Sequence, residues 1–213
     1  MALEGVIAGY DPGGNDAHGV ALLHVVDGAI RGIETRTLST ANAVVEYLAG
    51  LESLVGLGVD TLTCWSTGPS GWRPADRWLR KRYPEVRNSV VNPNGLFGSM
   101  GINGMAVLIA LRPMCPSLWI TETHPKVLHW HLWRDRCDFA GRRQSMIDRV
   151  CSRWRIAVAP TSEHEWDAAI SALVAFEGLT GCWTADLHAQ PIEPYERIVM
   201  PCGPTTYIWP DYQ

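Results

Sequence analysis

Asp11 ends the apolar run VIAGY, and the glycines Gly13 and Gly14 follow it before a second apolar run, GVALLHVV. This spacing predicts a carboxylate at the carboxyl end of a first strand, next to a reversal where glycine lets a ligand approach the backbone. An acid so placed is suited to hold a divalent metal or to face a phosphate. Two more acids recur in comparable settings: Glu122 closes the apolar run SLWIT, and Asp167 stands just before the apolar helix pattern AAISALVAF. Asp11, Glu122 and Asp167 are therefore the candidate catalytic and metal-holding residues. Ser162 and Glu165 have the Ser-x-x-Glu spacing of a capping box, which gives Glu165 a structural task that Asp167 lacks.

The elements that must position these acids follow from periodicity. Residues 5–10, 18–26 and 29–38 read as three successive strands, the last two joined by Asp27-Gly28, a strong hairpin signal. Ser39 or Thr40 can cap a helix whose apolar positions Val44, Val45, Leu48, Leu51, Leu54 and Val55 keep helical spacing, with Gly56 or Gly58 ending it. A fourth strand is expected around 59–64. Strand, strand, strand, helix, strand is the order of a ribonuclease H-like mixed sheet, although periodicity also permits other α/β arrangements.

Beyond it, STGPSGWRP reads as a loop, ADRWLRKRY as a short basic helix, and NPNGLFGSMGINGM as a glycine-rich connection into the helix MAVLIALR. That connection lacks the Gly-Lys-Ser/Thr ending of a phosphate loop. A strand ending in Glu122 leads to a helix with Pro125 in its first turn. A polar helix over about 141–154 carries Arg142, Arg149 and Arg153 on roughly one face. The expected organisation is one domain over 1–213, with a helical, glycine-rich insertion at about 66–115 and an irregular C-terminal extension at about 181–213.

Composition limits the function classes. With 46% hydrophobic and 19% charged residues the 213-residue chain is that of a folded globular protein. A formal net charge of −4 argues against coating nucleic acid by charge alone, while leaving room for a local basic groove. The ten tryptophans are scattered, which suits core filling better than base stacking. The six cysteines form no Cys-x-x-Cys pair and no zinc-like spacing with histidine, so they read as reduced thiols. The N-terminus lacks a basic region followed by an apolar segment of secretory length, and no run of 18 apolar residues occurs. A cytoplasmic protein without a membrane span is expected.

Several stretches carry a resemblance. VIAGYDPGG, RPADRWLRK, GINGMAVLIALR, ITETHPKVLHW and HEWDAAISALVAFEG resemble, in order and spacing, the blocks of the ribonuclease H-like nucleases grouped as domain of unknown function 429. The resemblance covers most of the chain up to about residue 180. Its most specific pieces are Glu122-Thr123-His124-Pro125 and Asp167-Ala168. It implies an α/β fold, a three-stranded antiparallel meander followed by parallel strands and flanked by helices. It also implies Mg2+ or Mn2+ as cofactor, nucleic acid as partner, and metal positions at Asp11, Glu122 and Asp167. Arg73 and Asp76 match an Arg-Pro-x-Asp element, and with His124 they are candidates for contacting substrate.

One departure stands out. Many members of that family place an acid at the end of the fourth strand in an Asp-x-Pro setting, where this chain reads Cys64-Trp65-Ser66-Thr67. The site is then short of one ligand, a charge that Glu122 or Glu163 would have to supply. The alternative is a fold that persists as a catalytically inactive nucleic-acid-binding or assembly module. A phosphotransferase of the actin and sugar-kinase type shares a strand-end Asp followed by a glycine turn, but this chain shows no second glycine-rich phosphate loop before a helix.

Overall fold

The computed structural model describes residues 2–92 and 98–211. Three strands, β1 (Gly5–Asp11), β2 (His18–Val26) and β3 (Ala29–Leu38), form the expected antiparallel meander. Asp27 and Gly28 adopt φ of 51° and 74°, the left-handed pair that a tight hairpin of this hand requires. Helix α1 (Ala41–Ala49) starts at Thr40, whose Oγ1 accepts from the Ala43 amide at 3.1 Å. It stops at Gly50, so Leu54 and Val55 are not its last turn. They open β4 (Leu54–Val59), which pairs parallel with β1. The fourth strand therefore lies at 54–59 and not at 59–64, and the residue after it is Asp60.

Next come β5 (Trp65–Ser66), α2 (Pro74–Arg82), a 3-10 turn at Pro84–Ser89 and α3 (Gly98–Met114). The first part of the expected glycine-rich connection, 93–97, lies outside the described residues, and the remainder is already the start of α3. Then follow β6 (Trp119–Glu122), α4 (Pro125–Trp133), α5 (Phe139–Trp154) and α6 (Glu163–Leu179). The C-terminal stretch adds β7 (Ala185–Asp186), β8 (Ile198–Val199) and β9 (Ile208–Trp209). This extension contributes to the core, because Tyr207, Ile208 and Trp209 are buried in it. Among the described residues no helix is long and apolar enough to cross a membrane.

The main sheet runs β3-β2-β1-β4-β6, mixed in direction and covered on both faces. Alternation along the strands sorts the core into two parts. Ala8, Tyr10, Leu57 and Val59 pack with α1 and α3 on one face. Ile7, Ala21 and Leu23 pack on the other with α6, which is buried continuously from Glu165 to Ala175. Helix α6 can lie this close because Gly9 and Gly58, register partners on β1 and β4, face it without side chains. A Cβ on Gly9 would overlap the Ala168 carbonyl, and one on Gly58 the Ser171 carbonyl. The small residues of the helix and the bare sheet together bring Asp167 down to the carboxyl edge of β1 and β4.

Candidate metal centre

Backbone register places the first two acids. Tyr10 is level with Val59, and the Asp60 amide donates to the Tyr10 carbonyl at 2.9 Å, so Asp11 and Asp60 are the next pair across the parallel edge. Asp11 belongs with Ile7 and Gly9 to the face that α6 covers, and the first turns of α6 deliver Asp167 to the same point. One carboxylate oxygen from each of Asp11, Asp60 and Asp167 lies within 4.8 Å of the other two. Asp11 and Asp167 are 3% exposed and Asp60 is half-buried, so the cluster is largely removed from bulk water.

Three carboxylates so close repel one another. Burial raises the Asp167 carboxyl well above its ordinary range, and Asp11 and Asp60 add to the shift. Asp60 is raised in the same way, by desolvation and then by Asp11. Asp11 is raised by burial, partly offset by His164, whose Nδ1 donates to Asp11 Oδ2 at 2.6 Å. That bond in turn raises His164. Lys126, in the first turn of α4, pairs with Glu163 at 3.0 Å and feels the charge of Asp167 and Asp60. Burial alone would lower the lysine, but the surrounding acids outweigh it and hold it protonated. Asp167 Oδ1 is buried without a hydrogen-bond partner. An unmatched carboxylate oxygen among like charges fits a hard divalent cation, which takes oxygen ligands.

Glu122 does not join this cluster. Its register partner on β4 is Val59, one residue before Asp60, so alternation turns its side chain to the opposite face of the sheet. There it accepts from Arg73 Nη1 at 2.7 Å, from Arg73 Nη2, and from the Thr63 amide and hydroxyl at 2.9 and 3.1 Å. Arg73 also grips Asp76, through Nε at 2.9 Å and Nη2 at 2.7 Å. Burial alone would raise Glu122, but Arg73 and His188 outweigh it and hold it well below the carboxylate range. Cys64, Glu122 and His188 also lie within 4.8 Å of one another. Arg73 Nη1 reaches Cys64 Sγ at 3.5 Å as well as Glu122, so a guanidinium already supplies the positive charge at that spot.

The sequence-based substrate candidates line one cleft. It measures about 350 Å³ and is bordered by Asp60, Arg73, Asp76, Glu122, His124 and Lys126. Arg73 and Asp76 contribute mainly structure there, since their polar atoms are taken by each other and by Glu122. His124 donates from Nε2 to the Ser89 carbonyl at 3.1 Å and keeps Nδ1 unpartnered. Burial lowers it to about 4, so the ring is neutral near pH 7. Two arginines of α5 are also engaged, because Arg142 and Arg149 both pair with Asp135. Glu163 stands at the rim and Glu165 is fully occupied, accepting from Thr161, Thr35 and Thr37 while its amide donates to Ser162 Oγ.

Sequence reasoning missed Asp60, His164, Lys126 and His188. Asp60 was legible in principle, since VGLGVD ends an apolar run in an acid just as VIAGYD does. His164 and Lys126 carried no pattern of their own. No family model matches the chain, no curated protein matches its sequence, and no solved structure matches its fold.

Proposed function

We propose that this protein is a divalent-metal-dependent nuclease that hydrolyses phosphodiester bonds of nucleic acid on a ribonuclease H-like sheet. The observation that carries the reading is the convergence of Asp11, Asp60 and Asp167 at one sheet edge, with Asp167 Oδ1 buried and unmatched. The antiparallel meander followed by parallel strands supports the fold assignment, and the quoted motifs support the resemblance to domain of unknown function 429. Asp60 supplies the acid after the fourth strand whose apparent lack had favoured an inactive module. In this reading the metal ligands are Asp11, Asp60 and Asp167, and Glu122 is a structural acid.

Mg2+ or Mn2+ bound there would supply Lewis acidity toward a phosphoryl oxygen and toward water. His164 fixes the orientation of Asp11 through its hydrogen bond and, being partly exposed at the rim, is placed to exchange a proton with solvent. Lys126 holds positive charge beside Asp167 and the cleft, where a phosphate would enter.

The test is cleavage of labelled single- and double-stranded DNA, RNA and hybrid substrates with Mg2+ or Mn2+, comparing wild type with Asp60→Asn and Asp167→Asn. Metal-dependent cutting lost in both variants supports the reading. Failure of the folded wild type to cut any of them would overturn it in favour of a binding module.

A further inference from the structure

A second pocket opens away from the carboxylates, and its lining is dominated by cations. It measures about 430 Å³, within the ordinary range for a ligand site. Arg82, Arg134 and Arg153 border it, with His131, Tyr83 and Trp183 among the remaining lining residues. None of the three guanidiniums makes a hydrogen bond or ion pair with another described residue. Their recorded contacts are with aromatic rings: Arg82 lies over Tyr83 at 5.6 Å, and Arg153 over Trp154 at 5.1 Å and Trp183 at 6.0 Å. Elsewhere the arginines at carboxylates are paired, as Arg73, Arg77, Arg142 and Arg149 show.

The placement has a local cause that falls short of explaining it. Arg82 ends α2, Arg134 caps α4, and Arg153 lies in the last turn of α5, so three helix C-termini meet here. Each C-terminus carries about half a negative charge, against a full positive charge on each arginine. Asp211 also lines the pocket, but its Oδ1 is turned to the Thr184 amide and hydroxyl and the Ala185 amide, at 2.9 to 3.1 Å.

The histidine adds a polar ring to the lining. Trp209 Nε1 can only donate, and it donates to the Tyr83 hydroxyl at 2.9 Å. That hydroxyl is also 2.7 Å from His131 Nδ1. Burial, then Arg134, Arg82 and Arg153, lowers His131 to about 4, so near pH 7 the ring stays neutral. The pocket thus gathers guanidinium donors and a neutral imidazole.

We infer that this pocket is a binding site for a phosphate-bearing anion, held by Arg82, Arg134 and Arg153 with the neutral His131 ring beside them. Guanidinium forks match phosphate oxygens in geometry and charge, and unpaired arginines bring no desolvated partner that must first be released. The site does not depend on the metal centre.

Titration calorimetry in chelator, without divalent metal, tests it with pyrophosphate as probe. Saturable binding is expected, weakened at least tenfold in the Arg82→Gln/Arg153→Gln double variant and unchanged in Asp11→Asn. Arg31→Gln, an exposed arginine elsewhere, serves as the control for net charge and should bind as wild type does. All of these positions except Asp11 are exposed, and a circular dichroism melt checks that each variant folds. A 5′-phosphorylated oligonucleotide and its 5′-hydroxyl twin separate the sources of phosphate. Preference for the former assigns a terminal or free phosphate, and equal binding that the double variant weakens assigns the backbone. No pyrophosphate binding by wild type, or equal binding by the double variant, overturns the inference.

Discussion

Asp60 and Asp167 face one another across the junction of β4 and α6, their nearest ligand oxygens within 4.8 Å. The two are 107 positions apart in the chain, and two bare glycines on the sheet let the helix come close enough for them to meet.

That closeness costs stability when no cation is bound. Asp167→Asn removes one of three mutually repelling charges, and is expected to raise the melting temperature in chelator by about 2–4 °C, roughly 1 kcal/mol for a chain of this size. The wild type should gain stability on addition of Mg2+ or Mn2+, and the variant should lose most of that gain. Thermal scans with and without metal check both; a variant that melts lower than wild type in chelator would contradict the repulsion argument.

Gly58→Ala tests the geometry from the sheet side. Its Cβ would overlap the Ser171 carbonyl, so α6 must shift or the variant is strained. A loss of about 1–3 kcal/mol, or more, is expected in denaturant unfolding. In the folded fraction the metal-induced stabilisation should also weaken, because Asp167 moves with its helix. Wild-type stability in this variant would mean that the helix does not lie against the sheet as described.

Arg73 is held by structure and not by substrate. Arg73→Met leaves Glu122 and Asp76 buried without their cation, which is expected to destabilise by about 3–5 kcal/mol. Adding Glu122→Gln should recover part of that loss. A substrate-binding role predicts the reverse pattern: near-normal unfolding with a raised KM. Chemical denaturation of the single and double variants decides between them.

Acid should weaken the fold through a buried histidine. Burial, and then Arg149, lowers His129 to about 4, and neither ring nitrogen has a hydrogen-bond partner. Between the ordinary histidine pKa of ~6.5 and the folded value of about 4, the unfolded chain binds the extra proton. Stability is therefore full above that window and falls as pH drops through it, by an amount on the order of 1–3 kcal/mol for this residue. His129→Phe keeps the ring packing against Trp133 and Trp166 and should flatten the slope between pH 6.5 and 4. An unchanged slope in stability measured against pH would place the titration elsewhere.

Much of the scaffold was legible in the chain. The alternating runs and Asp27-Gly28 marked the meander, the pair Ser39 and Thr40 marked the start of α1 to within one residue, and Ser162 marked the start of α6, because each of these signals acts within a few residues. The strand-end position of Asp11 and the helical setting of Asp167 came from the same local rules. The fourth strand was misplaced because Leu54 and Val55 continue the apolar spacing of α1, and periodicity cannot tell a last helical turn from a first strand residue. That shift of five residues hid Asp60.

What the sequence could not settle was partnership. Glu122 and Asp60 are both acids at the end of parallel strands, and only the register Val59 to Glu122 shows that they leave the sheet on opposite faces. One joins the carboxylates under α6, and the other is claimed by Arg73 and the Thr63 amide. His164, Lys126 and the three unpaired arginines likewise gained their meaning only from packing. Local preferences fix which residues form an element and where it begins, since neighbours in the chain supply the caps and turns. Which side chains then meet depends on pairing register and on the distance of closest approach between elements, and those are set by contacts between residues far apart in the chain.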